Sequence, residues 1–376
     1  MAAGIAWVLL ALVIGSLVYC ILVVVAALQY GQAWSLCSSP GIGISVLKPL
    51  HGADEGLEEN LRSFFTQDYQ DYEILLAVRT EDDPAVRVVK KLQAEFPDIS
   101  SRLILTGEPP YANAKVFSLD IMLQAARHDV VVMSDSDIRV EPGMLRVMAA
   151  EFADPKLGVA TCPYRAVAGN SFWSRLEAVG MNTEFIGGVL VARMLEGMKF
   201  AVGPTIAARR QALEAIGGFA RLSSYLAEDF VMGQFAVEAG WTVMLSSYVV
   251  EHRIGSERMA PNLAHRLRWA RSTRRSRPAG YVGQLFTFTW PLALAMIVLR
   301  PDWILMFIAA SLLRFAAALV PARGILRGPD AFRIDLLLLQ DILSLGFWIA
   351  GFFGNTIVWR GRRYYLKPDG TFELAQ

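Results

Sequence analysis

Two aspartates, Asp135 and Asp137, close an apolar run in VVVMSDSDIRV (130–140), with only Ser136 between them. Residues two apart in an extended chain project to the same side, so both carboxylates can face one cation. Two hard oxygen ligands, with phosphate oxygens completing an octahedron, suit Mg²⁺ or Mn²⁺. The bland alternative is a solvated turn whose aspartate caps the next helix, and for an isolated DxD that alternative wins.

Three further stretches make the pair less isolated. RTEDDPA (79–85) sets Asp82 and Asp83 before Pro84, where one of them also suits capping of a helix. YLAEDFVMGQFAVEAGW (225–241) opens a helix on Glu228 and Asp229. A carboxylate there is favoured by the helix dipole and is well placed as a general base. HRLRWARSTRRSR (265–277) packs six arginines around Trp269. In a helix Arg268, Arg271 and Arg275 share one face and suit a diphosphate, while Arg266, Arg274 and Arg277 point towards lipid headgroups.

The elements that must position these residues alternate. GISVLKPL (43–50), EILLAVRT (73–80), RLILTGE (102–108) and VVVMSDSD read as strands. Residues 54–67, 84–96 and 113–127 read as the helices between them. Near-continuous Val/Ile/Leu runs alternating with helices predict an α/β fold with a mostly parallel sheet covered on both faces. Ligands in such sheets sit beyond the carboxyl ends of the strands, where Thr80–Asp83 and Ser134–Asp137 fall. No Gly-rich fingerprint and no GxxxxGK[ST] occurs, so dinucleotide and P-loop readings lack their phosphate cradle.

Composition adds a membrane. The 376 residues are 54% hydrophobic, yet 19% are charged. No charged side chain precedes Lys48, and Ile5–Leu28 is long enough to span a bilayer core of about 30 Å. With no basic n-region, it reads as a retained anchor and not a cleaved signal peptide. Tyr281–Leu299 is uncharged, Trp303–Ala322 carries only Arg314, and Leu336–Trp359 carries only Asp341. Arg314 and Asp341 are expected to face inward and pair.

The expected layout is an anchor over 1–35, a catalytic domain over 40–260, a basic amphipathic interface segment over 261–280, and membrane segments with a basic tail over 281–376. Three full crossings after a cytosolic domain would place Arg360, Arg362, Arg363 and Lys367 outside, against the positive-inside rule. Pro291 then marks 281–299 as re-entrant or interfacial, and the tail is expected in the cytosol. The net charge of +1 gives no footprint for nucleic acid. Cys20, Cys37 and Cys162 are scattered, which fits a reducing compartment. The four histidines show no paired-ligand spacing, so no histidine-based metal site is expected.

Taken jointly, EDDPA, NAK, SDSD, LAED and HRLRW resemble the D, D, D, (Q/R)xxRW series of family 2/21 type GT-A glycosyltransferases. The closest resemblance is to the ceramide glucosyltransferase family, and it covers nearly the whole chain. It implies a GT-A catalytic domain with N- and C-terminal transmembrane or interfacial helices. By that resemblance Pro49 and Asp83 belong to the donor site, with Asp83 on the uridine and Lys115 on the nucleotide diphosphate. Asp135 and Asp137 hold a divalent cation, Mg²⁺ or Mn²⁺, and Asp229 is the base. His265, Arg266, Arg268 and Trp269 form the acceptor and diphosphate motif, although His265 stands where the family has Gln or Arg.

The implied reaction moves a hexose from a UDP-sugar to the hydroxyl of a membrane lipid, with inversion. Ceramide is the first acceptor, and a bacteriohopane polyol receiving N-acetylglucosamine is the alternative, since hopanoid glycosyltransferases are similar. The implied partners are the UDP-sugar, the lipid acceptor and the bilayer. The implied location is an integral membrane protein with its catalytic domain on the cytosolic face, in a bacterial inner membrane. A DxDx[TV] phosphatase is a more distant reading, and Arg139 at the fifth position counts against it.

Overall fold

The computed structural model describes residues 2–32, 41–328, 332–359 and 362–375. Cys37 and Arg360 lie outside the described residues. The chain divides into two compact units.

The first comprises Ser35–Tyr164, Met198–Gly255 and Tyr364–Gln376. Its strands, in chain order, are β1 (Ile44–Pro49), β2 (Tyr72–Val78), β3 (Ser101–Leu105), β4 (Val130–Ser134), β5 (Ile138–Arg139) and β6 (Leu157–Thr161). Then come β7 (Tyr164–Ala168), which runs on beyond this unit, β8 (Thr205–Arg209), β9 (Thr242–Leu245) and β10 (Val250–Gly255). Seven of them form one sheet in the order β3-β2-β1-β4-β8-β6-β9. The pairs β2–β3, β1–β2, β1–β4 and β6–β9 are parallel, and β8 runs antiparallel to both β4 and β6. The expected mostly parallel α/β sheet is therefore present.

Every residue of β2, β4 and β6 is buried, as uninterrupted apolar runs require of strands covered on both faces. The helices Leu57–Phe65, Ala85–Glu95 and Ala114–Ala125 fall where the apolar periodicity places them, trimmed by a few residues. Register does the rest. Leu47 pairs with Met133 and Pro49 with Ala77, so β1, β2 and β4 end at one edge. The C-terminal residues brace the far side of that edge, with Phe372 N donating to Ser224 O at 2.9 Å, just before Glu228.

The second unit comprises Met1–Trp34, Arg165–Gly197 and Ser256–Arg363. Ala3–Gly31, Pro301–Leu326 and Ile334–Gly351 are long and apolar enough to cross a membrane. Pro278–Thr287 and Thr289–Leu299 form a pair bent by 55°, a shape that a broken span and a re-entrant segment share. The break falls at Phe288, not at Pro291. Pro291 sits in the first turn of the helix Thr289–Leu299, where a missing N–H costs no intrahelical bond.

Arg314 donates to Asp341 through Nε at 2.7 Å and Nη2 at 2.6 Å, and the two side chains are 4% and 1% exposed. The expected pair thus forms bidentately, which satisfies both charges where lipid offers no partner.

Three arginines of the basic run depart from expectation. Arg271 donates to Phe353 O and Thr356 O, Arg274 to Phe352 O and Gly354 O, and Arg275 to Asn355 Oδ1. They gather on residues 352–356, just past the C-terminus of the helix Ile334–Gly351, whose negative dipole end favours cations. Arg271 and Arg275 are therefore committed within the protein and are not held in reserve for a diphosphate.

Candidate active site

The helix Ala114–Ala125 begins under an Asn113 cap, whose side chain accepts from Val116 N at 3.2 Å. The same amide donates to Tyr225 O at 3.0 Å and to Glu228 Oε2 at 3.4 Å. Asn113 thereby ties two helix starts together, and Lys115 rises from the first turn between them. Lys115 Nζ lies 2.8 Å from Asp135 Oδ1 and 3.3 Å from Glu228 Oε1. Burial alone would lower the lysine, but the Asp135 and Glu228 carboxylates outweigh it and hold it above its ordinary range.

Asp137 is held by a different basic side chain. Its Oδ2 is 3.0 Å from His252 Nε2, on β10, and its backbone carbonyl accepts from Arg253 at 2.8 Å. Burial works to raise this carboxyl, and the His252 charge and hydrogen bond win, keeping it below the usual aspartate range. Its Oδ1 is buried with no hydrogen-bond partner among the described residues. An orphaned carboxylate oxygen beside an imidazole, within a turn of a second carboxylate, fits a divalent cation.

The DxD geometry differs from an extended strand end. β4 stops at Ser134, Ser136 and Asp137 form a turn, and β5 starts at Ile138. The two carboxylates are not made tolerable by a shared ion alone, because Lys115 pairs with one and His252 meets the other. A third basic side chain lies beneath them. Lys48, fully buried on β1, donates from Nζ to Ser134 Oγ at 3.3 Å and Asp135 O at 2.5 Å, over the Phe64 ring at 4.0 Å. Burial pushes it down to about 7 against the pull of Asp135 and Asp137.

Asp83 does cap, as the bland reading held. Its carboxylate accepts from Ala85 N at 2.9 Å and also from Gly52 N at 3.0 Å, which fastens the loop after β1 to the loop after β2. Pro49 is the last residue of β1 at that edge.

Asp229 stands in the first turn of the helix Glu228–Glu238. Glu228 takes the lysine, and Asp229 is pushed up to about 7 by burial and then by the Glu228 charge beside it. The helix is pressed close to its neighbours through glycines. A Cβ on Gly233 would lie 2.4 Å from backbone atoms of Phe200 and Ala201, and one on Gly203 would lie 2.9 Å from Asp229 Oδ2.

In the other unit, the helix Met259–Ser276 carries the HRLRW residues. Arg266 is turned inward, donating to Gln340 Oε1 at 2.9 Å with its guanidinium 4.6 Å from the Phe347 ring centroid. His265 Nδ1 lies 3.1 Å from Glu177 Oε1, and its ring meets Trp269 edge-on at 4.8 Å. Arg268 and Trp269 are half-buried.

One edge of the sheet thus gathers Asp83, Lys115, Asp135, Asp137 and Asp229. Sequence reasoning missed two partners there, Lys48 and His252. A lysine inside the apolar run ISVLKP was the available signal for the first. Nothing local signals His252, which lies 115 residues from Asp137.

A model of glycosyl transferase family 21 matches residues 7–372. The chain is 31% identical over 208 residues to ceramide glucosyltransferase 1 of Caenorhabditis elegans, covering 55% of this chain and 44% of that protein. It is 27% identical over 230 residues to ceramide glucosyltransferase 3 of the same organism, covering 61% and 50%. It therefore spans about half the length of these relatives. Among solved structures it resembles the mannosyltransferase PcManGT of Pyrobaculum calidifontis, solved with GDP-Man and Mn²⁺. That likeness has a TM-score of 0.54 and 19% identity over 93% of this chain and 97% of that one.

Proposed function

The chain belongs to glycosyl transferase family 21, and from that premise we propose that it transfers a hexose from a UDP-sugar to the hydroxyl of a membrane lipid, ceramide first, with inversion. The observation that carries this reading is Asp229, a half-buried carboxylate pushed up to about 7 beside the Lys115–Asp135 pair. A general base works best with a pKa near the working pH, and contributes roughly 10²–10⁴-fold.

In the proposed reaction the lipid hydroxyl gives its proton to Asp229 while its oxygen attacks the anomeric carbon. The carbon–oxygen bond to the diphosphate breaks on the opposite face, and UDP leaves with the electron pair. Lys115 is the cation within the unit best placed to bind the departing diphosphate. Asp135 and Asp137, with His252 alongside, would hold Mg²⁺ or Mn²⁺, which supplies charge neutralisation for the phosphates. Asp83 and Pro49 are proposed to border the uridine. Arg268 and Trp269 are proposed, on the sequence motif alone, to serve the diphosphate and the acceptor.

The names of the relatives favour ceramide as acceptor. The apolar helices support a membrane protein, and a cytosolic catalytic domain is part of the proposal. The test is the full-length protein in mixed micelles with UDP-glucose and ceramide, read by mass spectrometry of the lipids. Hexosylceramide is expected. No hexosylated lipid from any UDP-hexose would refute the reading, and transfer of an amino sugar to a hopanoid polyol alone would replace the acceptor.

A further inference from the structure

Away from the sheet edge, a second cluster of ligand-type side chains lies wholly in the unit that carries the apolar helices. Glu177 sits on the helix Phe172–Gly180, Glu257 lies just past β10, and His265 on the helix Met259–Ser276. One donor atom from each lies within 4.8 Å of the other two. None of these three residues falls within a candidate membrane span.

The hydrogen bonding around the cluster is incomplete in a telling way. Glu177 is 5% exposed and Asn262 fully buried, yet Glu177 Oε1, Glu257 Oε2 and Asn262 Oδ1 all lack a hydrogen-bond partner among the described residues. Glu177 Oε1 is only 3.1 Å from His265 Nδ1, but it accepts no hydrogen bond from that ring nitrogen. Donor atoms this close that do not bond to one another are arranged as ligands are around a common centre. Buried polar groups left unpaired are costly, and a cation shared by the two carboxylates and the imidazole would relieve that cost.

The backbone around them is firmly set. Glu257 N donates to Ser174 Oγ at 2.9 Å, Glu257 O accepts from Ser171 Oγ, and the Asn262 amide donates to Glu177 Oε2. Arg266 is turned to Gln340, and its Nη1 has no hydrogen-bond partner among the described residues.

We propose that Glu177, Glu257 and His265 bind a divalent transition-metal ion such as Mn²⁺ or Zn²⁺. Two carboxylates suit Mn²⁺, and the imidazole extends the set to Zn²⁺. The ion would pin the helix Phe172–Gly180 and the chain at Glu257 to the helix that carries Arg268 and Trp269.

The test uses full-length protein in detergent without nucleotide, in an Asp135→Asn/Asp137→Asn background that removes the other candidate site. Metal content after dialysis against Mn²⁺ or Zn²⁺ should stay near one equivalent. It should fall at least tenfold on adding Glu177→Gln or His265→Gln, and Mn²⁺ electron spin-echo spectra should lose an imidazole nitrogen coupling in His265→Gln. Glu257→Gln, on the more open ligand, gives the same reading should either variant fail to fold. Less than a tenth of an equivalent in the double-Asn background, or metal content unchanged by these substitutions, overturns the proposal. Neither result depends on glycosyl transfer, so the site stands or falls separately from the proposed reaction.

Discussion

Lys115 Nζ bridges Asp135 Oδ1 at 2.8 Å and Glu228 Oε1 at 3.3 Å, and so joins the turn after β4 to the start of the helix that bears Asp229. One cation thereby sets the positions of a metal-ligand candidate and a base candidate. Replacing it by methionine keeps the side chain's length and removes the charge. Lys115→Met should weaken UDP-sugar binding at least tenfold, measured by calorimetry with UDP. Unchanged affinity would remove the lysine from the donor site.

Asp229→Asn should abolish transfer, with a loss of about 10²–10⁴-fold, while UDP affinity stays within about twofold. Near-normal turnover would end its assignment as the base.

The pH dependence follows from the same residue. The base must be ionised, so kcat/KM should fall about tenfold per unit as the pH drops below about 7 and level off above it. Stability runs the other way. The folded-state value is raised from the ordinary 3.8 to about 7, so the folded chain holds a proton that the unfolded chain has released across that window. Stability from this group is present at low pH and lost as pH rises through about 7. Asp229→Asn should therefore melt higher than the wild type at pH 8, and the gap should close towards pH 4.

Chelation tests the DxD pair. EDTA should stop transfer and Mn²⁺ or Mg²⁺ restore it, whereas Asp137→Asn should raise the metal concentration needed for half-maximal rate at least tenfold. Full activity without divalent metal would sink the assignment of Asp135 and Asp137.

The Arg314–Asp341 pair predicts a stability asymmetry. Arg314→Met leaves Asp341 buried and uncompensated, at a cost of about 3–5 kcal/mol. Adding Asp341→Leu should recover most of that loss in thermal unfolding followed in detergent. Equal destabilisation by single and double variants would refute the coupling.

The alternation of apolar strand runs with helices was legible residue by residue. Runs such as VVVMS carry their own burial, and a parallel sheet follows because each is separated from the next by a helix. The bidentate Arg314–Asp341 pair was legible for a related reason: two lone charges in apolar segments have no other economical partner. Asp83, Asp135 and Asp229 could be named because each ends a strand or begins a helix, where polar side chains collect, whereas Lys115 was named through the family resemblance alone. The place of the membrane bend was read from Pro291, but it lies at Phe288, since a proline in a first turn breaks no helical bond.

What the chain order could not supply was pairing across long separations. His252 reaches Asp137 over 115 residues, and Lys48 reaches beneath Asp135 over 87. The four histidines have no ligand spacing in the sequence, yet folding sets His252 beside one carboxylate and His265 beside two. Local sequence determined which segments are buried, which are charged and where strands stop, because those depend on side-chain hydropathy and backbone preference over a few residues. Only the tertiary structure decided that each DxD carboxylate has its own basic partner and that Arg271, Arg274 and Arg275 gather on residues 352–356, because the Coulomb energy of a charge depends on what folding brings within a few ångströms.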